Sequence, residues 1–331
     1  MSEAIKAVVI DENEEGKPQA NLRELAIDDL PDEEVLVDVT YSTLNYKDGL
    51  AVSGKGRICR KLPMVAGIDL VGTVSESRHQ DWKSGDRVLV NGFGLSEVHW
   101  GGYTQKQKLK AEWLTAVPGA FSDEQAMAIG TAGYTAMLCV NAVQDHGIQA
   151  GDGKVLVTGA TGGVGSVACL LLAKLGYDVV AASGKSESHD YLRSLGVSEI
   201  IERGELERDA KPLEKETWSA VVDSVGSKTL ATVLAQTRYE GIVAACGLAG
   251  GFDLPGSVMP FILRGVTLRG IDSVMASQER RQRAWNDLAS LIDANDLENV
   301  YRVEPMSRIK ELAEELMAGK VTGRIVIDVN L

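Results

Sequence analysis

The sequence predicts an α/β protein of two domains: a mostly antiparallel β domain followed by a doubly wound parallel sheet. Three observations carry this reading. The chain has 331 residues, its first third consists of short β-rich runs, and from Val155 onward apolar strands alternate with helical segments. That length exceeds one ordinary hydrophobic core and suits two. With 44% hydrophobic and 24% charged residues, the whole chain has a globular composition, and no segment is polar or repetitive enough for disorder.

The β domain is read from runs at 6–10, 34–41, 67–75, 87–91 and 102–109, each set between turn signals. Helices begin at Ser122, where Ser-Asp-Glu-Gln forms a capping box with Ser122 and Gln125 as the reciprocal pair, and Gly130 and Gly133 interrupt the helical run. Six apolar runs, at 155–158, 178–182, 199–201, 220–223, 242–245 and 267–271, alternate with helical patterns and form the parallel sheet. Ser277 is placed to cap an amphipathic helix carrying Trp285, Leu288 and Ile292 on one face. Ser307 is placed to cap another, with Ile309, Leu312 and Leu316, before Gly319 stops it; 324–329 reads as a strand.

Composition excludes several function classes. The net charge is −13, and residues 1–40 hold twelve acids against three bases, so a nucleic acid would be repelled over much of the surface. The longest apolar stretches, such as 164–173, are about half of the roughly 20 residues a membrane helix needs, and no basic-then-apolar segment opens the chain. A soluble cytoplasmic protein without a membrane partner is expected. Cys59, Cys139, Cys169 and Cys246 are far apart, with no Cys-x-x-Cys pair, and read as buried free thiols in a reducing compartment.

The chemistry concentrates at 159–165, GATGGVG, directly after the first apolar strand of the sheet. Gly159 permits the turn, Gly162 and Gly163 let backbone approach a pyrophosphate, and Gly165 permits close helix–strand packing; Thr161 and Val164 belong to the same cofactor set. The unpaired N–H groups at that helix start would face the phosphates. The alternative is a tight turn with no ligand. The nucleotide is read at the end of the second strand, where an NAD site places a carboxylate for the ribose hydroxyls. Here AASGKSE offers Ser183, Gly184 and Lys185 instead, a hydroxyl, free backbone and a cation, with Glu187 close by. Lys185 suits a 2′-phosphate, so the expected cofactor is NADPH. Arg203, just past the third strand, either reaches the same phosphate or is one charge in a solvated run.

The order of parts, a β domain, GTAGYTA at 130–136, VTGATGGVG at 157–165, VVDSVG at 221–226 and AACGLAGG at 244–251, resembles the medium-chain dehydrogenase/reductase superfamily over nearly the whole chain. STLNYKDGLAVSGKG, PMVAGIDLVGTV, HWGGYTQ and MPFILRGVTLRGIDSVM are most similar to its zinc-free, quinone-oxidoreductase-like branch, in particular the NADPH-dependent acryloyl-CoA reductases. The resemblance implies a GroES-like substrate and catalytic domain over 1–124 and 273–331, and a Rossmann NADPH-binding domain over 125–272. It also implies that Thr135, Leu248, Ile262 and Ser273 contact the cofactor, with Leu248 and Ile262 readable equally as ordinary core. Catalytic zinc takes about three protein ligands. Where the zinc branch has its first Cys this chain has Asn45, where that branch has Gly-His-Glu it has Gly67-Ile68-Asp69, and the four-cysteine zinc lobe is missing. His79, His99, His146 and His189 show no ligand spacing, and no metal is expected.

Without a Lewis acid, a conjugated thioester is a better hydride acceptor than an alcohol or simple ketone, because its β carbon is already electrophilic. The resulting enolate needs a hydrogen-bond donor and a proton. Tyr46 is the candidate for contact with substrate or nicotinamide, and Asn45, whose amide can also donate, for orientation; Tyr46 reads alternatively as a half-buried aromatic at a domain seam. Asp48 matches a structural Asp rather than a base. Residues 55–61, KGRICRK, hold Lys55, Arg57, Arg60 and Lys61 and no acid, either for coenzyme A phosphates or as a solvated basic loop. The expected activity is reduction of a short 2-enoyl-CoA, most nearly acryloyl-CoA to propionyl-CoA. The alternatives are a quinone or enone reductase and, from another class, a non-catalytic NADPH sensor. The sixth strand, at a sheet edge, suggests a homodimer by analogy with relatives.

Overall fold

The structure, a computed structural model, describes residues 3–297 and 300–331. It divides into two compact units, Met1–Thr131 with Ser273–Leu331, and Ala132–Asp272. The first unit opens with the antiparallel pair β1 (Ala4–Glu12) and β2 (Pro18–Ala26). Asn13 closes the turn, its side-chain oxygen accepting from the N–H groups of Glu15 and Lys17 at 2.9 Å. β2 carries no strand signal in the sequence, because PQANLRELA has no clean apolar alternation and lies mostly exposed.

Next come β3 (Val35–Thr43), α1 (Tyr46–Val52), β4 (Met64–Val65), β5 (Asp69–Ser77), β6 (Arg87–Asn91), β7 (Lys106–Leu109) and β8 (Thr115–Ala116). The pairs β3–β5, β5–β6, β6–β8 and β3–β7 are antiparallel. Val35, Val37 and Val39 alternate into the core from β3. The run expected at 102–109 becomes regular only at Lys106. Before it, the N–H groups of Gly101 and Gly102 turn to the carbonyls of Val65 and Gly67 at 2.7 and 2.9 Å.

α2 (Asp123–Asp145) begins at the expected capping box: Ser122 N–H donates to Gln125 Oε1 at 2.9 Å, and Gln125 N–H to Ser122 Oγ at 3.1 Å. Gly130, at φ 51° and ψ −158°, kinks this helix, whereas Gly133 remains helical. By length and composition α2 is long and apolar enough to cross a membrane, which corrects the expected limit on apolar runs; its most apolar 18-residue window is wholly buried in the protein.

In the second unit, β9 (Lys154–Val157), α3 (Gly163–Lys174), β10 (Asp178–Ser183), α4 (His189–Ser194), β11 (Glu199–Glu202), β12 (Trp218–Asp223), α5 (Ser227–Gln236), β13 (Thr237–Ala245), α6 (Met259–Arg264) and β14 (Thr267–Gly270) succeed one another. All six strands are parallel, in the order β11-β10-β9-β12-β13-β14. Strand order therefore reverses between β9 and β12, and in such sheets ligands bind beyond the carboxyl ends at that point. Leu156, Val180, Val221 and Val243 fill the core from neighbouring strands.

The chain then returns to the first unit through α7 (Gln278–Leu291), α8 (Ala294–Leu297), β15 (Tyr301–Pro305), α9 (Ile309–Met317) and β16 (Arg324–Asp328). Ser277 caps α7 as expected, its side chain accepting from Arg280 N–H, and Trp285, Leu288 and Ile292 are buried. Ser307 does not cap α9: it lies inside a 3₁₀ turn, Met306–Arg308, so that Arg308 occupies the cap position. β16 runs antiparallel to β3 and parallel to β15. β15 gives no strand signal in the sequence because YRVEP is only partly buried.

Candidate active site and cofactor turn

At the start of α1 a buried polar network gathers from five segments. Asp69, fully buried, accepts from Thr43 N–H at 3.0 Å, Thr43 Oγ1 at 2.7 Å, Asn45 Nδ2 at 3.0 Å, and Thr131 N–H and Oγ1 at 3.0 and 2.7 Å. Asp48, also buried, accepts from Asn45 N–H and Ile68 N–H, both at 2.9 Å, and from Asn45 Nδ2 at 3.1 Å. Arg324 brings the positive charge, donating from Nη2 to Asn45 Oδ1 and from Nε to the Ala128 carbonyl, both at 3.1 Å. Two buried carboxylates are tolerable because each accepts several hydrogen bonds with a guanidinium close by. The kink at Gly130 makes room: a Cβ there would lie 2.8 Å from Arg324 Nη2 and 2.9 Å from Thr43 Oγ1.

Burial, then the charge of Asp69, pushes Asp48 up from 3.8 to about 7. Because the folded-state value lies above the ordinary one, the folded protein holds this proton more tightly than the unfolded chain. The associated stability is present below pH 4 and is lost as pH rises through about 7. Relative to Asp48→Asn, the wild type is therefore expected to lose unfolding free energy between pH 4 and 7.5, on the order of 4 kcal/mol in all. Urea denaturation of both proteins across that range measures it, and parallel curves would contradict the assignment.

The network gives Asn45 a place consistent with the orienting role expected of it. Its Nδ2 is directed at Asp48 and Asp69 and its Oδ1 at Arg324, so its amide is engaged inside the protein and orients the start of α1. The adjacent Tyr46 is 47% exposed. Sequence reasoning misses Arg324, Thr43 and Thr131 as parts of this assembly. The one available signal is an arginine opening the apolar strand RIVID, since a charge in a buried run needs a partner.

The basic segment divides. Lys55 pairs with Glu314 at 2.5 Å. Arg57, Arg60 and Lys61 are exposed and line one cavity of about 660 Å³ together with Cys59, Asp11 and Glu12. Cys59 and Cys246 are only half-buried, unlike Cys139 and Cys169, which corrects the expectation of four buried thiols.

In the second unit the glycine turn is built as tightly as its sequence suggests. Gly159 has φ 57°, and a Cβ on Gly165 would lie 2.3 Å from the Gly159 carbonyl oxygen and 2.7 Å from Ala160 Cα. Thr161, Gly162, Gly163 and Val164 form the turn and first residues of α3, with Gly162 at the cap position and no side chain capping it. At the end of β10, Lys185 N–H donates to Ser183 Oγ at 3.1 Å. Arg203 follows β11 so closely that a Cβ on Gly184 would lie 3.5 Å from its Nε. Ser183, Gly184, Lys185 and Arg203 are thus brought together, with Arg203 also pairing Glu207 at 3.1 Å. Thr135 is buried in α2. Leu248 and Ile262 are 61% and 71% exposed, which overturns their reading as ordinary core. Ser273 belongs to the first unit, where its carbonyl accepts from Arg281 Nη2 at 3.1 Å.

Residues 31–145 match the family model described as alcohol dehydrogenase GroES-like domain, and residues 163–293 the one described as zinc-binding dehydrogenase. Over 326 residues the chain is 50% identical to the protein named acrylyl-CoA reductase AcuI of Ruegeria pomeroyi, covering 98% of this chain and 99% of that one. The chain belongs to the medium-chain dehydrogenase/reductase superfamily. Within it, the protein named putative quinone oxidoreductase YhfP of Bacillus subtilis is 39% identical, over 93% of this chain and 94% of that one. The crystal structure of the yhdH oxidoreductase from Salmonella enterica, in complex with NADP, superposes with a TM-score of 0.95 at 46% identity, covering 98% of this chain and 99% of that one.

Many superfamily members hold zinc, and the residues here do not fit it. Asn45 stands where the zinc branch has its first Cys and Ile68 where it has the His of Gly-His-Glu; Ile68 carries no donor atom, and the amide of Asn45 is engaged with Thr43, Asp48, Asp69 and Arg324. Among the described residues no group of three His, Cys, Asp or Glu side chains could hold a metal ion. NADP fits better: Gly162 and Gly163 put no side chain at the start of α3, Gly165 packs the turn tightly on Gly159 and Ala160, and the cationic Lys185 and Arg203 stand on either side of Gly184 at the end of β10.

Proposed function

We propose that this chain is an NADPH-dependent acryloyl-CoA reductase that reduces the carbon–carbon double bond of a short 2-enoyl-CoA. The observation that carries the reading is near-full-length kinship, at 50% identity, with a protein named acrylyl-CoA reductase. Bound NADPH supplies the hydride. Residues 125–272 bind it, and residues 1–124 with 273–331 hold the thioester and carry Tyr46. The exposed phenol of Tyr46 carries a hydroxyl that can donate, and it contacts substrate or nicotinamide; Asn45 is its positioning residue. Thr135, Leu248, Ile262 and Ser273 join Thr161 to Gly165 as cofactor contacts. Incubation with acryloyl-CoA and NADPH tests the reading by mass analysis of the product: propionyl-CoA is expected in a one-to-one ratio with NADP formed. Tight NADPH binding with no turnover of any enoyl-CoA, enone or quinone would instead mean a sensor.

Lys185 and Arg203 take the 2′-phosphate. Lys185→Ala is expected to weaken NADPH binding about tenfold to a hundredfold, the range for one charge-assisted contact, and to leave NADH binding nearly unchanged. Fluorescence titration of both nucleotides reads it, and an equal loss for each would remove the 2′-phosphate role.

Arg57, Arg60 and Lys61 take coenzyme A phosphates at the cavity they share, with Lys55 contributing through the same loop. Charge reversal at Arg57 and Arg60 is expected to raise KM for acryloyl-CoA by about tenfold or more while sparing KM for NADPH; an unchanged KM for the ester would return these residues to a solvated loop.

The protein works as a cytoplasmic homodimer. The exposed apolar side chains Phe252 and Val258 occur in the same unit as the edge strand β14, which supports pairing of that edge with a second copy. Sedimentation analysis tests it.

A further inference from the structure

Arg281, on α7, is among the largest side chains that the fold buries completely. A charge is costly to bury, and packing alone would be served by an apolar side chain of similar volume. What the guanidinium adds is a planar fork of donors. Here the fork joins two stretches of chain far apart in sequence. Nη1 donates to the Asn91 carbonyl at 2.5 Å, Nη2 to the carbonyls of Ser273 and Val274 at 3.1 and 2.7 Å, and Nε to that of Ala276 at 3.0 Å. Its Cζ stands 3.9 Å from the centre of the Phe93 ring. Phe93, held at φ 50°, adds a further link by donating from its N–H to the Val274 carbonyl at 3.0 Å.

These bonds lie where the chain passes between the two units. It leaves the first unit after Thr131 and re-enters it at Ser273. Asn91, the last residue of β6, holds both passages: its carbonyl takes Arg281, and its Nδ2 donates at 3.3 Å to Thr131 Oγ1, which is itself bonded to Asp69. Ser273 lies just beyond the carboxyl end of β14, the edge strand opposite β11. A dinucleotide spans the point where strand order reverses. With its adenosine half beside Ser183, Lys185 and Arg203 at β10 and β11, its nicotinamide half extends toward β12 to β14, the side from which the chain emerges to Ser273. We propose that Arg281 is a positioning residue for hydride transfer: it ties Ser273 and Val274 to the end of β6, and so fixes the contact of Ser273 with the nicotinamide half of NADPH. The proposal rests on the reading of Ser273 as a cofactor contact and of the 159–165 turn as the NADPH site.

The consequence is a split between the two halves of the cofactor. Without the guanidinium, the carbonyls of Ser273, Val274 and Ala276 lose a shared donor and the segment is no longer held to Asn91. The turn at 159–165 and the residues after β10 lie within the second unit and keep their own contacts. Loss of one hydrogen bond to the nicotinamide half weakens NADPH binding by about tenfold. A ring displaced by roughly 1 Å lowers kcat by about a hundredfold. Adenosine 2′,5′-bisphosphate, which carries the adenosine and the 2′-phosphate but no nicotinamide, keeps its affinity. General damage to the fold would weaken both ligands alike.

The test titrates NADPH and adenosine 2′,5′-bisphosphate into the wild type, Arg281→Lys and Arg281→Met, each below its own unfolding transition, and follows amide exchange at Phe93. In Arg281→Met, NADPH bound about tenfold more weakly, an unchanged affinity for the bisphosphate and faster exchange at Phe93 are expected. At saturating NADPH and acryloyl-CoA, kcat should be about a hundredfold lower. Arg281→Lys should recover little, because one ammonium cannot reach both Asn91 and the carbonyls of 273–276. Gly92→Ala carries the test if the Arg281 variants do not fold. Its Cβ would stand 2.8 Å from Val274 Cα and displace the same segment with the guanidinium in place, and the same split is expected. Equal losses for the two ligands, unchanged exchange at Phe93, or wild-type NADPH affinity and kcat in a folded variant would overturn the proposal. A wild type that binds neither ligand would instead remove the reading of the glycine turn, and the proposal with it. A wild type that binds both but does not turn over acryloyl-CoA would fail the activity reading alone, and the split is still judged by binding.

Discussion

Gly165→Ala is expected to destabilise the protein by about 3 kcal/mol, at the upper end for overpacking, and to lower NADPH affinity at least about a hundredfold, the equivalent of roughly 2.7 kcal/mol. The added Cβ would stand 2.3 Å from the Gly159 carbonyl oxygen and 2.7 Å from Ala160 Cα. Neither neighbour is a flexible side chain, so α3 must lift away from β9. The N–H groups at the start of that helix then no longer point where a pyrophosphate would lie. Gly184→Ala is the matched control, because its Cβ would meet Arg203 no closer than 3.5 Å. Denaturation and nucleotide titration of both variants read the difference; a stable Gly165→Ala protein with wild-type NADPH affinity would mean that this turn does not hold the cofactor.

Arg324→Met is expected to cost about 3–5 kcal/mol of unfolding free energy, because it leaves buried carboxylates without their guanidinium partner. For a chain of this size that corresponds to a fall in Tm of roughly 10 °C. Arg324→Lys should recover little, since one ammonium cannot reach both the Ala128 carbonyl and Asn45 Oδ1 with the geometry of the Nε–Nη2 edge. If the loss arises from uncompensated charge, Asp69→Asn combined with Arg324→Met should be more stable than the sum of the single changes predicts. Strict additivity would show that Arg324 acts by packing alone.

Much of this organisation is legible in the sequence because it depends on local pattern. The apolar runs 155–157 of β9 and 220–222 of β12 are continuous and buried, and the close approach that requires Gly165 is to Gly159 and Ala160, within six residues. The capping box at Ser122 is equally local. The features that escape a sequence reading depend on distant partners. The partners that engage the Asn45 amide cannot be read from its own stretch, because three of the four come from residues 48, 69 and 324 and only Thr43 lies beside it. The exposure of Leu248 and Ile262 does not show in the sequence, because apolarity alone does not say which hydrophobic residues a fold leaves on its surface. β15 is too exposed to show a pattern, and its place is set by pairing with β16. The cavity beside residues 55–61 is likewise assembled with residues 10–18 and is invisible in either stretch alone.

The reading as a thioester reductase is tested most directly by following NADPH oxidation with acryloyl-CoA and, in parallel, with a simple quinone at matched concentrations. A kcat/KM for acryloyl-CoA far above that for the quinone is the predicted result. The reverse order would contradict it and would place this chain functionally with relatives such as the protein named putative quinone oxidoreductase.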